Sequence, residues 1–349
     1  MSVGSPDLRS DLVVLEPQDQ RWLDYACTKP EATLFHHPAW LSVLAESYGY
    51  HPFIVTVCDA AGQIVAGLPM MEIRTPVRGR RWVSLPFTDY CPPLSNDPES
   101  LERLTEGLVA LARSNHVLRV EVRWELPPHP AVHSQVVYYL HRLALGSDPQ
   151  PVLKGFKRTH RQNISTAEER GVRIEWGTEP EHLRRFYGLQ LETRRRKGVP
   201  VQPWKFFELI GKRILAKGLG FVLLAHKDDA CLAGGLFLHW QRTLTYKYAA
   251  SSGEEQQCRP NNLLSWTAMR WGCEHGYRVF DLGRTEMEND GLRRFKAGWG
   301  AEETPLTYTA LPGFSAGSSK LESLVGAVIR KSPPWVCKAT GELLYRHFG

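Results

Sequence analysis

An α/β fold built from a duplicated unit is predicted by three observations. Short runs rich in β-branched and aromatic residues alternate with helix-spaced segments along the 349 residues, the pattern of helices packed on sheet. Residues 53–70, FIVTVCDAAGQIVAGLPM, align without a gap on residues 221–238, FVLLAHKDDACLAGGLFL, at an offset of 168. The identities are Phe53/Phe221, Gly67/Gly235 and Leu68/Leu236, and the shared pattern is strand, polar turn, second strand with a glycine step. Residues 116–120, followed by a strand, echo residues 275–279. Finally, 42% hydrophobic and 23% charged residues describe a globular chain. At this length it is long enough for two cores, since single cores stop growing near ~250–300 residues.

Helical spacing appears at 18–27 and at 38–47, where Trp40, Leu41, Leu44 and Ala45 share a face. Between them, His36 and His37 precede Pro38. Adjacent histidines do not face one metal from a regular element, so this pair reads as a helix start. Residues 53–57 and 64–73 form a hairpin around the turn 59–62, and Pro69 argues that the second strand is at an edge or bends. A strand at 82–85, a stiff Pro- and aromatic-rich loop at 86–94, a helix at 101–114 and a strand at 118–124 complete the first unit. The linker 146–151 is turn-rich. The domain division expected is therefore 1–148, 149–312 and a C-terminal segment, 313–349. That last segment has helical spacing at Leu321, Leu324, Val325 and Val328, a break at Pro333–Pro334, and a basic, aromatic end.

Charge is concentrated. Residues 151–220 hold sixteen Lys/Arg against seven Asp/Glu, whereas the whole chain is only +6. Lys154, Lys157, Arg158 and Arg161 share a face if their segment is one helix, and Arg194, Arg195, Arg196 and Lys197 form a second cluster. The alternatives are two solvated helix faces or a site for an anionic, phosphate-bearing ligand. The seven cysteines are scattered without a C-x-x-C pair, so neither a disulfide framework nor a zinc site is suggested, and no metal is implied. No apolar run approaches the ~20 residues of a membrane span, and MSVGSPDLRSDL contains no signal-peptide core. A soluble cytoplasmic protein is expected. Its C-terminal end could also make an amphipathic contact at a membrane surface.

The stretch 259–300 organises the rest. Pro260 and two asparagines suit a helix start, and Leu263, Leu264, Ala268, Met269 and Trp271 supply helical spacing up to Gly276. Residues 277–282 read as a buried strand closed by Gly283, which sets Asp281 and Arg284 at the strand's C-terminal edge, where open α/β sheets bind ligands. A basic, half-apolar turn at 292–296 follows.

Pro260-x-x-Leu263-Leu264, the helix, His275-Gly276-Tyr277-x-x-Phe280-Asp281-Leu282-Gly283-Arg284, Phe295-Lys296 and Trp299-Gly300 together resemble the second half of the Fem-type peptidyltransferases. The resemblance is closest to their shorter FemAB-like, acetyltransferase-like relatives in the GNAT superfamily, and extends from about Leu34 to Leu311. It implies tandem GNAT-like domains with a C-terminal helix packing back on the first. It also implies transfer of an aminoacyl group from aminoacyl-tRNA to an amine of a cell-wall precursor, small-molecule or lipid-linked, in peptidoglycan biogenesis. In the same terms Lys296, preceded by Phe295, would stabilise the tetrahedral oxyanion, and Arg196 and Tyr248 would hold the acceptor. Tyr246 reads as a core residue. Asp281 is a base by position, although a strand-end aspartate more often orients its neighbours, and Arg284 would bind an anionic group or pair with Glu286 or Glu288.

Acetyl-CoA-dependent relatives bind pyrophosphate on a glycine-rich loop at a helix N-terminus. Here the loop is Arg259-Pro260-Asn261-Asn262-Leu263, without glycine and with a proline that has no amide hydrogen. That favours the tRNA donor, with no bound cofactor. Two alternatives stay open: an acyl-CoA-dependent N-acyltransferase in exopolysaccharide or small-molecule biosynthesis, and a non-catalytic binding protein for RNA or anionic glycans.

Overall fold

A computed structural model of the chain describes residues 11–75, 79–253, 256–313 and 345. It forms two compact units that divide inside a strand, at Val137/Tyr138, and the chain returns to the first unit at Leu306. The expected behaviour of residues 314–344 and 346–349, including the C-terminal helix, lies outside the described residues.

The first unit contains β1 (Leu12–Leu15), α1 (Gln20–Cys27), α2 (Pro38–Tyr48), β2 (His51–Cys58), β3 (Ile64–Thr75), β4 (Gly79–Val83), β5 (Leu94–Ser95), α3 (Pro98–Ser114) and β6 (Arg119–Val122). Strand β7 (His133–Ala144) leads into the second unit. There follow α4 (Pro149–Gly155), α5 (Arg158–Glu169), β8 (Arg173–Gly177), α6 (Pro180–Lys197), α7 (Trp204–Arg213), β9 (Gly220–Lys227), β10 (Ala230–Trp240) and β11 (Thr243–Ser251). The last elements are α8 (Pro260–Glu274), β12 (Val279–Glu286), α9 (Asp290–Ala297) and β13 (Glu302–Leu311).

The duplication is visible in the pairing. In the first unit β2 and β3 are an antiparallel hairpin, β4 continues the meander, and α3 then delivers β6 parallel to β4. In the second unit β9, β10 and β11 form the meander, and α8 delivers β12 parallel to β11. The three identities of the repeat are core positions. Leu68 and Leu236 are both fully buried, as are Phe53 and Phe221 within a few per cent. A Cβ on Gly67 would lie 2.6 Å from the Trp22 ring, and one on Gly235 would lie 2.7 Å from Phe237 and 2.9 Å from Leu264. In each unit the glycine admits a large side chain against the sheet that any other residue would exclude.

Pro69 does not mark an edge. Strand β3 lies between β2 and β4, with β5 also on its outer side. On that side β5 pairs with Ala66 and Gly67 and β4 begins at Met71. Pro69 falls in the interval between them, where no ladder amide is required. His36 and His37 take structural roles: Nε2 of His36 lies 2.9 Å from the Pro92 carbonyl, and Nδ1 of His37 accepts the Ala39 amide at 3.0 Å to cap α2.

The second unit buries a continuous core in which Phe156, Phe221, Phe237, Leu264, Phe280 and Trp299 are central. At the far end of α8, Trp271 stacks on His275 and Tyr277, and the Tyr277 hydroxyl is 2.6 Å from His239 Nδ1. Burial, and secondarily the nearby His275, push the His239 imidazole down to about 4. Its folded value is below the unfolded one, so this group's contribution is complete above about pH 6.5, is lost as pH falls towards 4, and is flat below that. The loss is bounded by about 3 kcal/mol. Urea unfolding of wild type and His239→Gln at several pH values is expected to show the smaller acid dependence in the variant; parallel curves would contradict the assignment.

Candidate active site

Strands β11 and β12 pair only through Thr243, Leu244 and Thr245 against Val279, Phe280 and Asp281. Beyond that short parallel ladder lies a cavity of about 340 Å³. Its walls are the second half of β11 from Tyr246, the start of α8, the last turn of α6, and Phe295 of α9. A bulge in β11 makes this wall: Tyr246 pairs with Phe237 and Tyr248 with Leu236, leaving Lys247 as the extra residue.

The bulge sets Tyr246 and Tyr248 on opposite faces, whereas regular alternation would place them on one. Tyr246 lines the cavity, stacked on Phe237 at 4.5 Å with Ser265 bonding its hydroxyl, and burial raises its pKa. Tyr248 instead packs against Phe206 and Phe207, and its hydroxyl accepts from Gln202 Nε2 at 3.2 Å. Lys247 is 7% exposed, with Nζ 5.3 Å from the Tyr248 ring.

The cavity wall is cationic. Arg196, Lys197 and Arg259 all line it. Arg196 donates to the Ser251 carbonyl at 3.1 Å and to its hydroxyl at 3.2 Å, which ties the end of α6 to the end of β11. Burial first, then the charges of Arg194 and Arg196, lower the Lys197 pKa. Arg259 occupies the left-handed region, φ 54°, where a glycine would be unstrained. Among the first three residues of α8, Pro260 has no amide hydrogen and the Asn262 amide bonds the Arg259 carbonyl at 3.0 Å. Side-chain charge, rather than a row of bare amides, dominates this loop.

Lys296 is 6% exposed and sits on α9, a helix where a turn was expected. Its Nζ donates to the carbonyls of Gly283 and Arg284 at 2.9 and 3.0 Å. Its neighbour Phe295, 37% exposed, lines the cavity. Strand β12 does not close at Gly283 but continues to Glu286, through a register shift between Asp281 and Arg284. Asp281 is fully buried, and its Oδ1 accepts the Gly283 amide at 2.7 Å. That fixes the backbone whose carbonyls hold Lys296, a positioning arrangement rather than that of an exposed base. The Arg284 guanidinium lies 4.1 Å from the Tyr138 ring centre.

Lys154, Lys157, Arg158 and Arg161 do not form one stripe, because α4 ends at Gly155 and α5 begins at Arg158. Phe156 is buried in the core between them, and Arg161 donates to the Lys154 carbonyl at 3.0 Å and to the Phe156 carbonyl. Arg161 therefore fastens the break, while Lys154 and Arg158 are exposed.

A polar cluster unread in the sequence flanks Lys296. His141, fully buried, approaches Glu303 with Nε2 at 3.0 Å, and Arg293 grips Glu303 through two donors at 2.7 and 2.9 Å. Burial, then the Lys296 charge, lowers the His141 pKa, and the Arg293 hydrogen bond lowers that of Glu303. No group of three or more metal-ligating side chains occurs among the described residues. None of the described helices is long and apolar enough to cross a membrane.

A family profile described as an acetyltransferase (GNAT) domain matches residues 154–303. This stretch resembles a GNAT acetyltransferase domain. Over 81 residues the chain is 33% identical to the lipid II:glycine glycyltransferase of Staphylococcus aureus, covering 22% of this chain and 19% of that protein. The chain thus matches about a fifth of the length of these curated relatives. Among solved structures, FemX matches with a TM-score of 0.69 at 15% identity, covering 90% of this chain and 100% of the other. L-PGS from Bacillus licheniformis gives 0.57 at 15%, covering 91% and 99%. A tandem GNAT protein from the clavulanic acid biosynthesis pathway gives 0.55 at 14%, covering 88% and 99%. The FemAB-like resemblance read from the motifs and the tandem GNAT-like fold are both borne out.

Proposed function

We propose that the chain is a Fem-type N-acyltransferase that moves an aminoacyl group from aminoacyl-tRNA to an amine of a cell-wall precursor. The observation that carries this is the cavity at the start of α8. It is cationic through side chains, poor in the amides a pyrophosphate needs, and bordered by Phe295 next to the buried Lys296. A phosphodiester and an ester-linked acyl group suit such a wall, since guanidinium groups bind phosphate directly.

In this reaction the amine attacks the ester carbonyl, a C–N bond forms, and the ester C–O bond breaks with the proton passing to the departing ribose hydroxyl. Lys296 would supply positive charge as the carbonyl oxygen becomes anionic. Gly283 and Arg284 hold its ammonium, and Asp281 holds their backbone. Arg196 is placed on the cavity wall, where it would meet the donor or acceptor. The similarity to the lipid II:glycine glycyltransferase supports an amine acceptor of the cell-wall or lipid-linked class. An acyl thioester as donor is the second reading, favoured by the short β11–β12 ladder, because a diverging strand pair also admits an extended thioester arm.

Parallel titrations with charged tRNA, uncharged tRNA and acetyl-CoA across ionic strength separate these donors. Tighter binding of the charged than of the uncharged tRNA, persisting at moderate salt, is expected. Saturable micromolar acetyl-CoA binding with tRNA affinity lost at moderate salt would transfer the assignment to the thioester.

A further inference from the structure

His160 of α5 follows the helix break, its amide bonded to the Lys157 carbonyl at 3.0 Å. It is 6% exposed and enclosed by α8, α9 and the segment after α9. Its Nδ1 is 2.8 Å from Asn262 Nδ2, and the Phe295 carbonyl hydrogen-bonds the same ring. The ring packs on Trp299 at 4.2 Å and meets Phe295 edge-on at 5.1 Å. A Cβ on Gly298 would lie 2.1 Å from Nε2, so that residue is small because the imidazole occupies the space.

These contacts fix the tautomer. A carbonyl only accepts, so the nitrogen facing Phe295 carries the hydrogen, and this is Nε2, the atom beside Gly298. Nδ1 then has a lone pair and accepts from the Asn262 carboxamide, whose oxygen is left facing the other way. Asn262 and Phe295 both line the cavity, on α8 and α9. One neutral ring therefore joins two of its walls.

We propose that His160 is a positioning residue for the acyl donor: through its two ring nitrogens it locks the Asn262 carboxamide and the Phe295 end of α9 into the arrangement that receives the donor. This rests on the reading of the cavity as the donor site. The role is in binding geometry and not in chemistry, because the imidazole is behind the wall.

The test compares wild type, His160→Phe and His160→Gln in transfer from charged bulk tRNA, with kcat and KM measured for donor and acceptor separately. Phenylalanine keeps the ring against Trp299 but has no nitrogen; glutamine restores an acceptor. The donor KM is expected to rise about tenfold in His160→Phe, the effect of one lost buried hydrogen bond. The acceptor KM and kcat should stay within about threefold, and His160→Gln should recover much of the donor KM. Asn262→Ala should raise the same KM, and the double variant with His160→Phe should add little to it. An unchanged donor KM in a folded His160→Phe protein overturns the proposal and leaves the functional reading standing. So does a lowered melting temperature with all kinetic constants scaled alike. Wild-type protein that transfers from no charged tRNA overturns the reading and the proposal together. Independently, ¹⁵N-histidine spectra of the full chain should show His160 as the Nε2–H tautomer, and the opposite tautomer would contradict it.

Discussion

Replacing Lys296 with methionine is expected to lower single-turnover transfer by about 10²–10³-fold, the usual effect of removing one oxyanion donor. Donor affinity should change far less. Methionine keeps most of the buried volume but abolishes the two bonds to the Gly283 and Arg284 carbonyls. A stability loss of about 1–3 kcal/mol should accompany it, because those carbonyls lose a charged donor. The two effects are separable. If the ammonium only straps α9 to β12, Lys296→Met will unfold more easily yet turn over normally once folded, and the catalytic assignment fails. A protein that holds charged tRNA but transfers nothing supports it.

The second large effect is expected at Trp299. This side chain is fully buried, meets Phe156 edge-on at 4.9 Å and lies against His160 and Phe295. Trp299→Ala should cost about 3–5 kcal/mol through the cavity it leaves. Trp299→Phe should cost much less. The Trp299 Nε1–H is buried with no hydrogen-bond partner among the described residues, so losing it removes an unmet demand along with some packing. Denaturant midpoints of the two variants check this contrast; equal losses would show that the indole itself, and not the volume it fills, decides the position.

What was legible in the sequence follows from what local pattern encodes. The hairpin repeat was readable because a two-residue period and a glycine step survive duplication, and both glycines turned out to admit a large side chain against the sheet. The helix from Pro260 was readable because its start, its apolar positions and its end all agree. Irregularity defeated the same reasoning elsewhere. Gly283 looked like a strand end because a left-handed glycine usually is one, φ 71° here, yet the strand runs through it. The bulge at Lys247 separated Tyr246 and Tyr248, which alternation places on one face, since one extra residue turns every following side chain over. The helix break at Phe156 dispersed the four-cation stripe. His160 and Asn262 are 102 residues apart, and no periodicity connects them. The Fem-type motifs carried the family because they sit on the elements around the cavity, while the cationic wall is assembled only when α6, β11 and α8 meet.

Strand β13 has a consequence for how the protein is made. Its last residues, Thr309 to Leu311, pair with Glu121, Val120 and Val122 of β6, and Tyr308 donates its hydroxyl hydrogen to the Asp89 carbonyl. The N-terminal unit thus waits for a strand that leaves the ribosome after the whole GNAT domain. During synthesis β6 is an open edge with unsatisfied amides, for as long as more than 180 residues take to emerge. At the ~5–20 residues per second of translation that interval is about ten to forty seconds. For that interval the nascent first half presents an unpaired strand edge that β13 covers only at the end of synthesis.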